Sequence, residues 1–267
     1  MKHVRLWRSL VAALLVIALA AAPLVSTAAK LDYPKAKTVD QVDDFFGTKV
    51  ADPYRWLENV DDPEVQAWGD AENAVTQSYI GKIPFRAQVA KRLTELLDYP
   101  RVGLPTKRGP WVFFSKNSGL QNQAVIYKQM GANGEPQPLL DPNTMSKDGT
   151  VSISALSYTS DGKMVGYGVS QSGSDWEVLH VRDVATGKDR ADQIERCRFT
   201  AIAWAPDNSG FYYSRYPDAG SVPKGDDEFW QKLYFHKLGE AQKKDRLVYE
   251  RPDCKECGTS PGVSDDG

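Results

Sequence analysis

A mostly β fold, part of a β-propeller behind a two-helix amino-terminal segment, is what three observations in this sequence predict. The first is the stretch from Leu156 to Val169, where Ser160-Asp161-Gly162-Lys163 separates two runs of small, β-branched and aromatic residues. An Asp-Gly pair so placed marks a tight hairpin, because Gly accepts the positive φ the turn demands. The second is recurrence. Ile202 to Ala205 leads through Pro206-Asp207-Asn208-Ser209-Gly210 into Phe211-Tyr212-Tyr213, and Gly262-Val263-Ser264 leads into Asp265-Asp266-Gly267. The third is spacing. Asp161 and Asp207 are 46 residues apart, and Asp207 and Asp266 are 59 apart with a polar insertion between. Units of about 40–50 residues with four strands each are propeller blades. About three and a half such units fit before Gly267, where a turn lacks its return strand. The sequence is therefore expected to be a piece of a longer protein.

Taken in order, the chain opens with Lys2, Arg5 and Arg8, an apolar run from Leu10 to Val25, and Ser26-Thr27-Ala28-Ala29. These describe a secretory signal peptide over residues 1–29, cut after Ala28 or Ala29. The apolar run is shorter than the ~20 residues a membrane span needs, so the mature protein is expected to be exported, periplasmic or secreted, with no membrane attachment. Cleavage removes three of the 33 basic residues and none of the 35 acidic ones, leaving a net charge of −5. That surface does not suit nucleic acid.

Residues 30–100 form the second segment. Leu31 to Asp61 reads as irregular but rich in rings, from Tyr33-Pro34 through Phe45-Phe46-Gly47 to Asp52-Pro53-Tyr54-Arg55-Trp56-Leu57-Glu58. Burying such rings is worth about 1.5–3 kcal/mol each, so the arm needs a surface to lie on. Asp62-Pro63-Glu64 starts a helix as cap, first residue and dipole-favoured acid. Trp68, Ala71, Val75 and Tyr79 form its apolar stripe, and Gly81 ends it. A second helix spans Pro84 to about Asp98, with Phe85, Val89, Leu93, Leu96 and Leu97 expected on a buried face.

From residue 101 to 267 the period becomes strand-like. Trp111 to Phe114 pairs with Ala124 to Tyr127, and Leu139 to Pro142 closes the first unit. The second unit adds Trp176 to Val181 and a short strand near Gln193; the third adds Leu233 to Leu238 and Leu247 to Tyr249, with Asp218 to Phe229 inserted. Asp226-Asp227-Glu228 lacks the spacing of a calcium loop and reads as solvated rather than metal-binding. Cys254-Lys255-Glu256-Cys257 is a CxxC in an exported chain, which favours a local disulfide. Zinc would need further ligands, and thioredoxin-like chemistry a strand-to-helix junction, whereas Pro252 and Gly258 place the pair in a loop. Cys197 reads as a buried small hydrophobe or a free thiol. No cofactor is called for.

Several strings together resemble prolyl oligopeptidase: Tyr33-Pro34, Phe46 to Val50, Asp52 to Glu58, Gly119-Leu120-Gln121-Asn122-Gln123, Leu140-Asp141-Pro142-Asn143 and Ser172-Gly173-Ser174-Asp175-Trp176. Asp52 to Glu58 alone would also fit the related oligopeptidase B. The resemblance implies a serine peptidase that cleaves short peptides after proline, built from a seven-bladed propeller and a carboxy-terminal α/β-hydrolase domain. It further implies that the arm and helices pack on that missing domain, and that the propeller covers the active site and limits substrate size. The catalytic Ser, Asp and His would lie beyond Gly267. Gly-x-Ser-x-Gly occurs once, at Gly258-Thr259-Ser260-Pro261-Gly262, in the loop after the CxxC rather than at a strand-to-helix elbow; Gly168 to Ser172 lacks the second Gly. A triad built on His180 or His236 is disfavoured by their strand positions. Phe199, in Arg198-Phe199-Thr200, matches a family residue lining the substrate pocket, while a ring packed inside a blade is the equal alternative. The Cys254/Cys257 pair is outside the family pattern. Two other readings compete: a free-standing propeller-like module that binds peptides or proteins, and a scaffold for a metal or redox centre at the CxxC.

Overall fold

The structure, a computed structural model, describes residues 31–223 and 225–264. The signal-peptide reading and the turn at Asp265 to Gly267 lie outside them. The chain divides into two compact units, up to Ala90 and from Lys91 onward. The cut falls within the second helix.

The first unit corrects the reading of Leu31 to Asp61 as irregular. β1 (Val42–Phe45) and β2 (Thr48–Ala51) form a hairpin in the register Val42↔Ala51 to Phe45↔Thr48. Phe46 (φ 55°) and Gly47 (φ 91°) make its two-residue turn, the positive pair that matches strand twist. A 3-10 turn over Arg55–Glu58 follows, where Arg55 pairs with Asp43, Asp52 and Glu58. Helix α1 spans Pro63–Ile80, and the Asp62 side chain accepts from the Glu64 amide at 2.8 Å. Trp68 meets Trp56 edge to face at 6.4 Å. Tyr79, expected on the same stripe, is exposed.

Helix α2 spans Arg86–Leu97. Its expected buried face is not buried: Phe85, Val89, Leu93, Leu96 and Leu97 are each 49–61% exposed. The 3-4 spacing aligns them on one side, but nothing among the described residues covers that side.

The second unit holds three antiparallel sheets, each a meander. In the first, β3 (Arg101–Val102) and β4 (Thr106–Arg108) both pair with β5 (Trp111–Asn117), followed by β6 (Val125–Met130) and β7 (Gln137–Leu140). The second runs β8 (Ser152–Tyr158), β9 (Met164–Ser170), β10 (Trp176–Asp183) and β11 (Asp189–Arg198). The third runs β12 (Ala203–Trp204), β13 (Gly210–Arg215), β14 (Lys232–Lys237) and β15 (Arg246–Tyr249). These are blades of a propeller. β11 is ten residues long rather than the short strand expected near Gln193. Its charges hid it, because outer blade strands face water and carry them as protection against edge pairing.

The core lies between blades. Phe113, Leu139, Leu140, Val165, Tyr167 and Val184 fill the first interface. Leu179, Ile194, Cys197, Trp204, Phe211 and Tyr213 are among those filling the second. β9 explains the division: Val165 and Tyr167 face the first blade, while a Cβ on Gly166 would come within 2.9 Å of Ile202. Cys197 is a free, fully buried thiol, and burial pushes its pKa well up.

Polar ties also cross the interfaces. Arg182 donates to the Leu139 carbonyl at 2.6 Å. His236, buried on β14, sits between Asp245 at 2.8 Å from Nδ1 and Asp192 of β11 at 3.1 Å from Nε2. Tyr213 donates to the other Asp245 oxygen at 2.7 Å.

Candidate functional site

Antiparallel connectivity sorts the loops of the three blades onto two ends. The Asp-Gly hairpin turn, residues 184–188 and residues 205–209 lie at one end. Residues 118–124, 141–151, 171–175, 199–202 and 216–231 lie at the other. Phe199 is at this second end. So are Gly119 to Gln123, Asp141 to Asn143 and Ser172 to Asp175, three of the strings that single out this sequence.

Phe199 is 66% exposed and has a φ of 52°. Its exposure removes the alternative of a ring packed in a blade core. Left-handed backbone is costly for a bulky residue and persists only where surroundings impose it. Of the seven described non-glycine residues with positive φ, four belong here: Ser172, Arg196, Phe199 and Trp230. Strain is therefore concentrated at this end.

The surroundings that impose it can be traced. Gln231, 5% exposed, donates to the Arg198 carbonyl at 3.1 Å, and the Ser214 amide donates to Thr200 Oγ1 at 2.8 Å. Both flanks of Phe199 are thus held. The Arg198 guanidinium lies 4.8 Å from the Phe199 ring centre and pairs with Asp175 at 3.1 Å and Glu228 at 2.8 Å. Arg196 stacks 4.3 Å above Trp176 and donates to the carbonyls of Pro217 and Asp227. Trp176 meets Tyr216 edge to face at 5.5 Å. The result is a ladder of rings and guanidinium groups with Phe199 as its exposed rung.

Beneath it lies Glu177, 7% exposed. Burial raises its pKa, only partly offset by hydrogen bonds from Ser154 Oγ and the Thr200 amide. A Cβ on Gly168 would come within 2.0 Å of the Glu177 carboxylate, so glycine there makes its room.

The other candidate residues resolve as follows. Cys254 and Cys257 are joined by a disulfide with Cα atoms 5.4 Å apart. The Asp226-Asp227-Glu228 run is partly solvated but tied: Asp226 pairs with Lys255, the 61% exposed Glu228 pairs with Arg198, and the Asp227 carbonyl accepts from Arg196. Among the described residues no group of three or more metal-ligating side chains exists. His180 stacks on Tyr167 at 5.5 Å, and burial lowers its pKa. His236 has carboxylates on both nitrogens, which leaves neither for a nucleophile. Arg196 and Gln231 escaped the sequence reading, and Arg198 and Glu228 were named there without this role; the Arg-x-Arg-Phe run following a Trp-initiated strand was the available signal.

A family model described as the prolyl oligopeptidase N-terminal β-propeller domain matches residues 34–267. The chain belongs to the prolyl oligopeptidase family. It is 41% identical over 220 residues to a prolyl endopeptidase of Elizabethkingia meningoseptica, covering 82% of this chain and 31% of that protein. With prolyl oligopeptidase A of Galerina marginata it shares 32% over 270 residues, 88% of this chain and 36% of the relative. Among solved structures, one from a study of two prolyl endopeptidases and their inter-domain dynamics matches with a TM-score of 0.74 at 36% identity, covering 83% of this chain and 33% of that one. Prolyl oligopeptidase B of Galerina marginata, bound to a 25-residue macrocyclization substrate, matches with a TM-score of 0.73 at 26% identity, covering 88% and 36%. The chain therefore spans about a third of the length of these relatives. What it aligns with is their propeller portion.

Proposed function

We infer that this chain is the amino-terminal propeller part of an exported prolyl oligopeptidase, a serine endopeptidase that cleaves short peptides after proline. Its part is to gate substrate access and to offer Phe199 as one wall of the proline pocket, while the catalytic Ser, Asp and His come from an α/β-hydrolase domain encoded beyond Gly267. The observation that carries this reading is Phe199 itself: a ring left exposed, in left-handed backbone, with both flanking residues hydrogen-bonded in place. An exposed aromatic face suits the compact, apolar pyrrolidine ring of proline, gaining about 25 cal/mol per Å² of apolar surface buried.

The test begins with the gene past codon 267. A reading frame continuing through further blades to a Gly-x-Ser-x-Gly is expected, and a native stop codon would overturn the assignment. In the full product, Phe199→Ala should raise KM for a prolyl peptide about tenfold and change kcat less. Purified residues 30–267 should hydrolyse nothing; proline-specific cleavage by them would sink the division of labour. Export is checked by the first residue of the mature protein, expected just after Ala28 or Ala29.

A further inference from the structure

Both residues that flank Phe199 are tied, through one intermediate each, to the same short segment. Gln231, which holds the Arg198 carbonyl, accepts from the Thr259 amide at 2.7 Å. Ser214, whose amide holds Thr200, donates its hydroxyl to the Thr259 carbonyl at 2.7 Å. Thr259 lies two residues beyond Cys257. A second route starts inside the disulfide ring. The Lys255 carbonyl accepts from the Trp230 amide at 2.8 Å, its ammonium pairs with Asp226 at 3.1 Å, and it lies 4.6 Å from the Phe229 ring centre. Those three residues belong to the 216–231 loop, whose Glu228 and Asp227 grip Arg198 and Arg196.

The segment that anchors all of this has no helix or strand of its own from Arg251 to Ser264. Its internal ties include two turn hydrogen bonds, Cys254 to Arg251 and Cys257 to Cys254, the Arg251–Asp253 ion pair at 2.8 Å, and the disulfide. The disulfide closes a four-residue ring and so restricts Cys254 to Cys257 directly, with Thr259 two residues downstream of it. Both cysteines are half-buried, within reach of a reagent, whereas Cys197 is fully buried.

We propose that the Cys254–Cys257 disulfide is a redox-sensitive latch that fixes the Phe199 wall through Lys255, Thr259 and the 216–231 loop. Its partner is a dithiol reductant. One thiolate of the dithiol attacks one cysteine sulfur, forming a mixed disulfide and releasing the other cysteine as a thiol. The second thiol of the reagent then displaces the first cysteine. The reagent leaves as its own disulfide, and two electrons and two protons pass to the protein. With the ring open, Lys255 and Thr259 lose their fixed placement and Phe199 its enforced conformation.

The latch rests on the pocket reading only for what it controls, so it is tested without substrate. Amide hydrogen exchange of the whole chain is measured oxidised and after dithiothreitol, with thiols counted under denaturing conditions. Reduction should raise the count from one to three. It should speed exchange in residues 196–201 and 226–231 by at least about tenfold, reversibly, with β9 unchanged. The double change Cys254→Ser and Cys257→Ser should reproduce the fast exchange and abolish the response to dithiothreitol. Three thiols in the unreduced protein, or unchanged exchange at 196–201 after full reduction, would overturn the latch; so would a response to dithiothreitol that persists in the double variant. Failure of the pocket reading would appear separately, as a Phe199→Ala enzyme with unaltered KM.

Discussion

Replacing His236 by leucine removes the one group that reconciles two buried carboxylates. The side chains of His236, Asp192 and Asp245 are 1%, 1% and 3% exposed. Both ring nitrogens face carboxylate oxygens, and only the imidazolium can donate to both at once. Burial alone would lower the His236 pKa, but the hydrogen bonds and charges of Asp245 and Asp192 outweigh it and raise the value above 6.5. Breaking a buried pair by removing one partner costs about 3–5 kcal/mol. Asp192 keeps the Gly239 amide and Arg190, and Asp245 keeps Tyr213, which places the cost near the lower end, about 3 kcal/mol. For a domain of this size that is about 6–12 °C in Tm.

The pH dependence separates this account from a simple packing loss. A raised histidine pKa gives stability that is full below pH 6.5 and is lost as pH rises through the higher folded value. Asp192 has the opposite sense. Burial raises its pKa, but the Gly239 amide, His236 and Arg190 bring it below 3.8, so its contribution is present above that pH and lost as pH falls further. Glu177, raised by burial above 4.5, also loses stability as pH rises, but it is common to both proteins and cancels in their difference. Urea unfolding of the parent and His236→Leu between pH 5 and 9 should give a difference that is largest at or below pH 6.5 and shrinks above, by at most about 1.4 kcal/mol per pH unit. A difference that is flat with pH, or that grows towards pH 9, would refute the charged bridge.

Three further outcomes follow from the packing of single residues. Gly168→Ala should destabilise by about 1–3 kcal/mol in urea unfolding, because its Cβ would meet Glu177 at 2.0 Å and Ser154 at 2.5 Å. Gly162→Ala should cost at least about 1 kcal/mol, since φ is 70° and the Cβ would lie 2.4 Å from the Arg108 carbonyl oxygen of the neighbouring blade. Cys197 should not react with an aromatic disulfide reagent in the native oxidised protein at pH 8, and should react as a single thiol after unfolding; fast native labelling would contradict its burial.

The blades were legible because their signals are local. Asp161-Gly162 is a turn by its own chemistry: the Asp161 carboxylate accepts from Thr159 Oγ1 and the Lys163 amide, and Gly162 sits at φ 70°. The β1–β2 hairpin escaped because Phe46, at φ 55°, is not a residue that announces a turn, and Asp43-Asp44 and Thr48-Lys49 do not alternate apolar with polar. The apolar side of α2 was legible as a pattern, but pattern does not say what covers it. At the site, Phe199 was singled out by the family resemblance, whereas its left-handed backbone depends on Gln231 and Ser214, distant in sequence. His236 and Asp192 are 44 residues apart, and no short-range rule pairs them.

The two ends of the blade stack differ in what holds them, and that difference bears on function. At the Asp-Gly end, Gly109 and Gly162 let the turns of neighbouring blades touch backbone to backbone, with a Cβ at Gly109 only 2.0 Å from the Asp161 carbonyl oxygen. Turn chemistry is supplemented there by Lys128, whose ammonium donates to the Val184 and Ala185 carbonyls of the next blade. The other end is held by side chains reaching between loops: Asn143 bonds Gln123 in both directions, Arg198 joins Asp175 to Glu228, and Gln231 joins Arg198 to Thr259. Such networks order loops that would otherwise be mobile, and here they hold four residues in left-handed backbone. A scaffold alone has no need of that strain, since the first end closes its turns without it apart from Asn208. The ordered, strained end with its exposed ring is therefore where the proposed substrate contact is to be tested, at Phe199.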